Sequence, residues 1–214
     1  MKKSVVSLTI NGADEEVLVR PGTTLLDLLR ESQGLTGTRR GCEQGACGTC
    51  TVLVDGRPMM SCLLPAETIE GARVETIEGL TPAQGLHPIQ EAFLEGFATQ
   101  CGFCTSGMIM AAAGLLARNP DPTRDDAVRA ISGNICRCTG YEAIIDAVLD
   151  AAPGCGWPAR RPGRREGRHM ERIDTSFFSR ERAAELDVVG ESVQRADARG
   201  HVTGRTQFYE DVNF

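Results

Sequence analysis

The chain opens on alternation. Val6, Leu8 and Ile10 fall on one side of an extended segment and Val5, Ser7 and Thr9 on the other, followed by Asn11-Gly12 and then Val17 to Arg20. Period-two alternation interrupted by Asn-Gly predicts a β-hairpin, because these two residues accept the positive φ angles of a two-residue turn. Pro21-Gly22-Thr23-Thr24 opens a short helix with Leu25, Leu26, Leu28 and Leu29 as its buried stripe. Gly41 to Cys50 reads as a glycine-rich loop. Strands are expected at Thr51–Val54, at Arg57–Met60 beyond the Asp55-Gly56 turn, and at Arg73–Thr76. A small β-rich domain crossed by one helix thus ends near Gly79.

The period then changes. Pro88 suits the first turn of a helix whose stripe is Ile89, Ala92, Phe93 and Phe97. A second helix is expected over Thr105–Ala117, stopped by Asn119-Pro120, and Thr123 with Asp126 forms a capping arrangement for a third. A fourth begins near Tyr141, with Ile144, Ile145, Val148 and Leu149 at helical spacing. Four short helices imply a compact bundle. Beyond Pro153 the pattern weakens. Residues 160–172 hold six arginines against two glutamates, with Pro162, Gly163 and Gly167 between them, the composition of a linker or arm rather than a core. The expected fold class is α+β, divided as 1–80, 81–157 and an extended tail at 158–214.

Composition narrows the function. A net charge of −6 argues against nucleic-acid binding. No run of about 18 apolar residues is present, so no transmembrane helix is expected. The first residues read as a strand rather than a signal peptide, which makes the cytoplasm the expected location. Nine cysteines in a reducing compartment point to metal ligands more than to disulfides. Eight of them cluster as Cys42, Cys47, Cys50 and Cys62, then Cys101, Cys104, Cys136 and Cys138, while Cys155 stands apart as a stray thiol. Four plus four is the arithmetic of two metal centres.

Cys42, Cys47 and Cys50 follow C-x₄-C-x₂-C, and Cys62 comes after eleven intervening residues. This is the plant-type [2Fe–2S] spacing. Three ligands in nine residues force the chain to curl round its cluster, and Gly41, Gly45, Ala46 and Gly48 permit that approach. Structural zinc prefers two close doublets, which fits three-plus-one poorly. Hairpin, crossing helix and cysteine loop together resemble the β-grasp domain of plant-type ferredoxins. The second set pairs C-x₂-C (Cys101, Cys104) with C-x-C (Cys136, Cys138) across 31 residues. Its spacing alone leaves a cluster, zinc and redox-active thiols all open.

Three stretches carry a wider resemblance: Gly41-Cys42-Glu43-Gln44-Gly45-Ala46-Cys47-Gly48-Thr49-Cys50-Thr51, Gln100-Cys101-Gly102-Phe103-Cys104-Thr105 and Asn134-Ile135-Cys136-Arg137-Cys138-Thr139-Gly140-Tyr141. They closely resemble the iron–sulfur portion of the xanthine dehydrogenase and aldehyde oxidase family, the molybdenum hydroxylases, over about residues 3–155. The resemblance implies two [2Fe–2S] clusters, the second held by a helical domain beside a molybdopterin (dinucleotide) cofactor on a partner subunit. It implies that Gln100 hydrogen-bonds the pterin and that Cys138 both ligates iron and touches the pterin amine. Without the resemblance, Gln100 reads as a loop or cap amide.

The implied partners are a molybdopterin-binding catalytic subunit and a FAD-binding subunit in a hetero-oligomer, a dimer of heterotrimers being one such form. The implied role is electron transfer, one electron at a time, from molybdenum to a flavin or other acceptor. No P-loop, Rossmann fingerprint or Ser/His/Asp arrangement appears, so no catalytic residue is expected on this chain. A stand-alone two-cluster carrier and a zinc-stabilised interaction module are the competing classes.

His87, His169 and His201 show no ligand spacing and read as exposed or structural; Trp157 is expected to pack where the chain leaves the bundle, and Tyr141 to pack in the core. The segments Val188–Asp197, Val202–Arg205 and Tyr209–Asp211 resemble the opening of the family's molybdenum-binding subunit, though His201 and Phe208 stand where lysine and tyrosine are common. The tail is therefore expected to pack on the catalytic subunit.

Overall fold

Strands β1 (Ser4–Ile10) and β2 (Ala13–Val19) pair antiparallel along their whole length, from Ser4 opposite Val19 to Ile10 opposite Ala13. This computed structural model describes residues 3–152 and 194–212. Between the strands Asn11 (φ 50°) and Gly12 (φ 83°) both take left-handed conformations, as the Asn-Gly turn requires. Strands β3 (Thr51–Val54) and β4 (Arg57–Met60) form a second hairpin, with Asp55 and Gly56 again at positive φ. Strand β5 (Arg73–Glu75) joins the two, parallel to β1 and antiparallel to β3, giving the order β2-β1-β5-β3-β4.

Helix α1 (Leu25–Asp27) starts from a capping box between Thr24 and Asp27 and widens at once into a π-helical turn over Leu28–Ser32. Leu25, Leu28 and Leu29 are fully buried against Val6, Leu8, Ile10, Val52 and Val74 of the sheet. Leu26 turns the other way, onto Cys50 and Cys62. One short helix thus seals the sheet core and backs a pair of candidate ligands; truncating such a leucine costs about 2–5 kcal/mol.

The helical part comprises α2 (Ile77–Leu80), α3 (Pro88–Glu95), α4 (Thr105–Leu116), α5 (Arg124–Ile131) and α6 (Glu142–Asp150). Pro88 occupies the first turn of α3, and the Thr123–Asp126 capping box starts α5, both as read from the sequence. Helix α4 is apolar nearly all round, and it is the helix at the centre: Met108, Ile109, Met110 and Ala112 are buried among α3, α5 and α6. It also lies against β3. A methyl group at Gly107 would strike the Gly48 carbonyl, and one at Gly114 would strike the Pro58 ring.

One expectation needs correction. Phe97 does not belong to the stripe of α3: the helix ends at Glu95, and Phe97 takes φ 52° and is 41% exposed. Gly96 follows the last turn of the helix and the chain reverses there. Of the two readings given for His201, exposed or structural, the structure fits the second: the residue is buried. Residues 194–212, including helix α7 (Ala198–Val202), pack against both the sheet part and the helical part of this chain. Among the described residues no helix is long and apolar enough to cross a membrane. Cys155, Trp157, His169, the basic segment 160–172 and Val188–Val193 lie outside the described residues.

Candidate metal centres

The loop between the π-helical turn and β3 carries Cys42, Cys47 and Cys50, and Cys62 arrives on a single 3₁₀ turn after β4. Glu43, Gly45 and Gly48 all have positive φ, so the loop closes on itself within a few residues. The Cys42 sulfur accepts from the N–H groups of Gln44 (3.5 Å), Ala46 (3.3 Å) and Cys47 (3.4 Å). These bonds hold its thiol down to about 7, a charged sulfur at modest cost. Cys47 lies 3.2 Å from the Thr49 hydroxyl. Burial, with the Cys50 thiol beside it, pushes Cys62 up to about 11.

The second set is brought together at one end of the helical part. Cys101 and Cys104 precede α4, while Cys136 and Cys138 lie between α5 and α6. Gly102 (φ 85°) lets the first loop turn. Burial and the neighbouring Cys136 push the Cys104 thiol up. Burial acts upward on Cys136 as well, but hydrogen bonds from the Thr139 hydroxyl (3.1 Å) and N–H (3.4 Å) hold it below its ordinary value. The bond with Cys101 pushes Cys138 up. Tyr141 packs at the core edge, as read, and its hydroxyl accepts from the Cys136 N–H at 2.9 Å, so it also braces the ligand loop.

All eight described cysteines are free thiols. In the first set Cys42 interacts with Cys47, and Cys62 with Cys50 and Cys42; in the second Cys138 interacts with Cys101 and Cys136, and Cys104 with Cys136 and Cys101. Among the described residues no three His, Cys, Asp or Glu side chains close on one point, as a single metal ion would need. A [2Fe–2S] cluster instead takes four thiolates over two irons, two on each. Two sets of four mutually close thiols fit that group. In each set one pair lies deeper (Cys50 and Cys62; Cys104 and Cys136) than the other, with Cys104 half-buried and Cys101 and Cys138 exposed.

The two sets are neighbours. The Ile135 N–H donates to the Cys47 carbonyl at 2.9 Å, and buried Asn134 donates to the Gly48 carbonyl at 2.7 Å. A residue next to one ligand is therefore hydrogen-bonded to a ligand of the other set. Gln100 is exposed, and its backbone carbonyl accepts from Arg195.

Sequence reasoning passed over Arg30 and Arg39 and gave Asp211 only a place in the tail motif. Both guanidiniums are buried on the Asp211 carboxylate, Arg30 at 2.6 Å. Arg39 also donates to the carbonyls of Gly204 (3.2 Å) and Thr206 (2.5 Å), and lies 4.6 Å above the Phe208 ring. The available signal was Arg39-Arg40 directly before the cysteine loop; its partner lies 172 residues away.

Two family models match the chain: "2Fe-2S iron-sulfur cluster binding domain" over residues 8–78 and "[2Fe-2S] binding domain" over residues 76–149. Fold and thiol sets together define a protein with two [2Fe–2S]-binding domains. The chain is 48% identical over 149 residues to the nicotine 6-hydroxylase small subunit of Paenarthrobacter nicotinovorans, covering 70% of this chain and 89% of that one. Its structure resembles a chain of quinoline 2-oxidoreductase from Pseudomonas putida 86 (TM-score 0.69, 50% identity, 71% of this chain and 95% of that one). It also resembles the aldehyde oxidoreductase of Desulfovibrio desulfuricans (TM-score 0.78, 34% identity), where the match takes in 97% of this chain but 22% of that longer one. The chain belongs to the [2Fe–2S] iron–sulfur subunits of the molybdenum hydroxylases, and is thus part of an oxidoreductase complex.

Proposed function

We propose that this subunit conducts electrons singly from a molybdopterin centre on a catalytic partner, through a cluster on Cys101, Cys104, Cys136 and Cys138, then one on Cys42, Cys47, Cys50 and Cys62, to a flavin or other acceptor. The β-grasp domain (1–80) holds the outer cluster and the helical bundle (81–157) the inner one. A [2Fe–2S] cluster bound at each site supplies one-electron redox chemistry.

The observation that carries this reading is the 2.9 Å hydrogen bond between the Cys47 carbonyl and the Ile135 N–H. It joins a residue of one thiol set to the neighbour of Cys136 in the other by a short run of bonds. Asn134 holds that contact in register through Gly48. Backbone N–H groups on Cys42 and the Thr139 donors on Cys136 stabilise negative charge on the ligands. The exposed Cys101–Cys138 pair and the exposed Gln100 face outward, where a pterin on the partner can meet the Gln100 amide and Cys138. Within the tail, Tyr209 and Val212 keep exposed side chains that suit contact with the catalytic subunit.

The test is the metal content of the complex that co-purifies natively with the tagged chain. Two four-cysteine [2Fe–2S] centres give about four irons per molybdenum. About four irons per chain with no molybdenum and no partner would support a stand-alone carrier instead. A colourless protein holding zinc would sink both readings.

A further inference from the structure

The loop Gln100–Cys104 carries two of the second set's thiols, and its bonds to the helix that follows lie at its far end: the Thr105 N–H donates to the Gly102 carbonyl at 3.2 Å and the Met108 N–H to the Cys104 carbonyl at 3.0 Å, beside a hydroxyl contact between Thr99 and Thr105 at 2.9 Å. What surrounds it comes from the tail. Arg195 donates to the Gln100 carbonyl, its guanidinium oriented by the Asp197 carboxylate at 2.6 and 3.0 Å. The His201 imidazole lies on Gly102, so closely that a methyl group there would collide with the ring. Phe208 meets Phe103 edge to face, with centroids 5.4 Å apart and planes at 80°.

Three contacts thus fall on residues 100, 102 and 103, interleaved with Cys101 and followed by Cys104. The tail is in turn fixed to the other domain, because Arg39 lies over the Phe208 ring and, with Arg30, grips Asp211. His201 is 5% exposed and its two ring nitrogens lack aligned hydrogen bonds; the Asp197 carboxylate stands 3.3 Å from Nε2, off the bonding direction. The imidazole is thus held between the Asp197 carboxylate and the Gly102 backbone.

We propose that residues 194–212 are a built-in part of the second iron–sulfur site, with Arg195, His201 and Phe208 as positioning residues that hold the Gln100–Cys104 loop so that Cys101 and Cys104 face Cys138 and Cys136. The inference rests on the reading of those four cysteines as cluster ligands. It follows that the environment of the second cluster is set partly from outside the two cluster-binding domains. The first cluster, whose loop meets the tail at Gly37 and Arg39, ahead of its cysteines, serves as an internal reference.

The experiment uses the full chain in its native complex. Iron per chain, the electron paramagnetic resonance signals of the reduced protein and the midpoint potential of each cluster are read in Phe208→Ala, Phe208→Tyr and Arg195→Ala. Phe208→Ala is expected to shift or remove the second cluster's signal and leave the first in place, with Phe208→Tyr restoring it. Arg195→Ala leaves the Arg39–Asp211 contact intact and so guards against simple loss of the tail. Poised at the wild-type midpoint, its second cluster should depart from about half reduction while the first stays there. No change in either cluster, or parallel loss of both, overturns the inference. A wild-type chain carrying about two irons or none would sink the ligand reading instead, before any variant is compared.

Discussion

Asp211 lies between two guanidiniums and is the most consequential carboxylate in the tail. Arg30, Arg39 and Asp211 have side chains 4%, 2% and 1% exposed, and the Phe208 N–H adds a bond to the carboxylate at 2.8 Å. Asp211→Asn keeps the shape, removes the charge and turns one acceptor into an NH₂ group facing a guanidinium donor. Arg30 retains the carbonyls of Thr36 and Thr38, and Arg39 those of Gly204 and Thr206. Both nevertheless lose the carboxylate that touches them. Removing one partner of a buried ion pair costs roughly 3–5 kcal/mol. Tail docking should weaken by about a hundredfold to several thousandfold. Amide hydrogen exchange reads this directly. The N–H groups of His201, Thr203 and Thr206, each bonded within the tail at 3.2 Å, should exchange faster by that factor, up to the limit of wild-type docking. Val52 and Leu53 in β3 should be unaffected. Acceleration below about threefold at all three amides would refute the claim that this carboxylate holds the tail.

Gly102→Ala should cost at least about 1–2 kcal/mol from the left-handed backbone alone, with the His201 collision adding to it; an unchanged melting temperature would count against the described loop. Asn134→Ala should cost about 1–2 kcal/mol and slow electron exchange between the clusters in rapid mixing. An unchanged rate despite lower stability would separate the Cys47–Ile135 contact from the relay. Burial pushes the Asp211 carboxyl up, but the Phe208 N–H and the two arginines prevail and hold it below its ordinary 3.8. Its contribution is therefore fully present above about 3.8 and lost as pH falls through the lower folded value. Tail docking followed by near-ultraviolet circular dichroism should lose this acid-dependent step in Asp211→Asn; an identical acid profile would contradict the assignment.

The strands, the helix starts and the cysteine sets were legible because each depends on neighbours in sequence. Asn11-Gly12, Asp55-Gly56, Pro88 and the Thr123–Asp126 box act within a few residues, and the structure places each where local chemistry requires. Phe97 was misread because an apolar side chain at helical spacing carries no mark of the reversal at Gly96. The division of eight thiols into deep and shallow pairs was not legible, since it depends on how loops meet in space. The placement of Arg39 and His201 was hidden for the same reason. Arg39 is an ordinary basic residue until Asp211 arrives, and His201 an isolated polar residue until Gly102 lies under it.

The grip on Asp211 also orders events in time. Its two arginine contacts join residues 181 and 172 positions apart, and the contact to Gly204 spans 165. Contacts of that span carry a large loop-closure entropy and form late. While the chain is being synthesised, both cysteine loops emerge long before the residue that locks the tail over one of them. Until then the Arg30 and Arg39 guanidiniums lack the Asp211 carboxylate, and the Gln100–Cys104 loop lacks its contacts with Arg195, His201 and Phe208. Vectorial synthesis thereby separates an early interval, when the second site is accessible to whatever delivers iron and sulfide, from a later one in which the tail closes beside it.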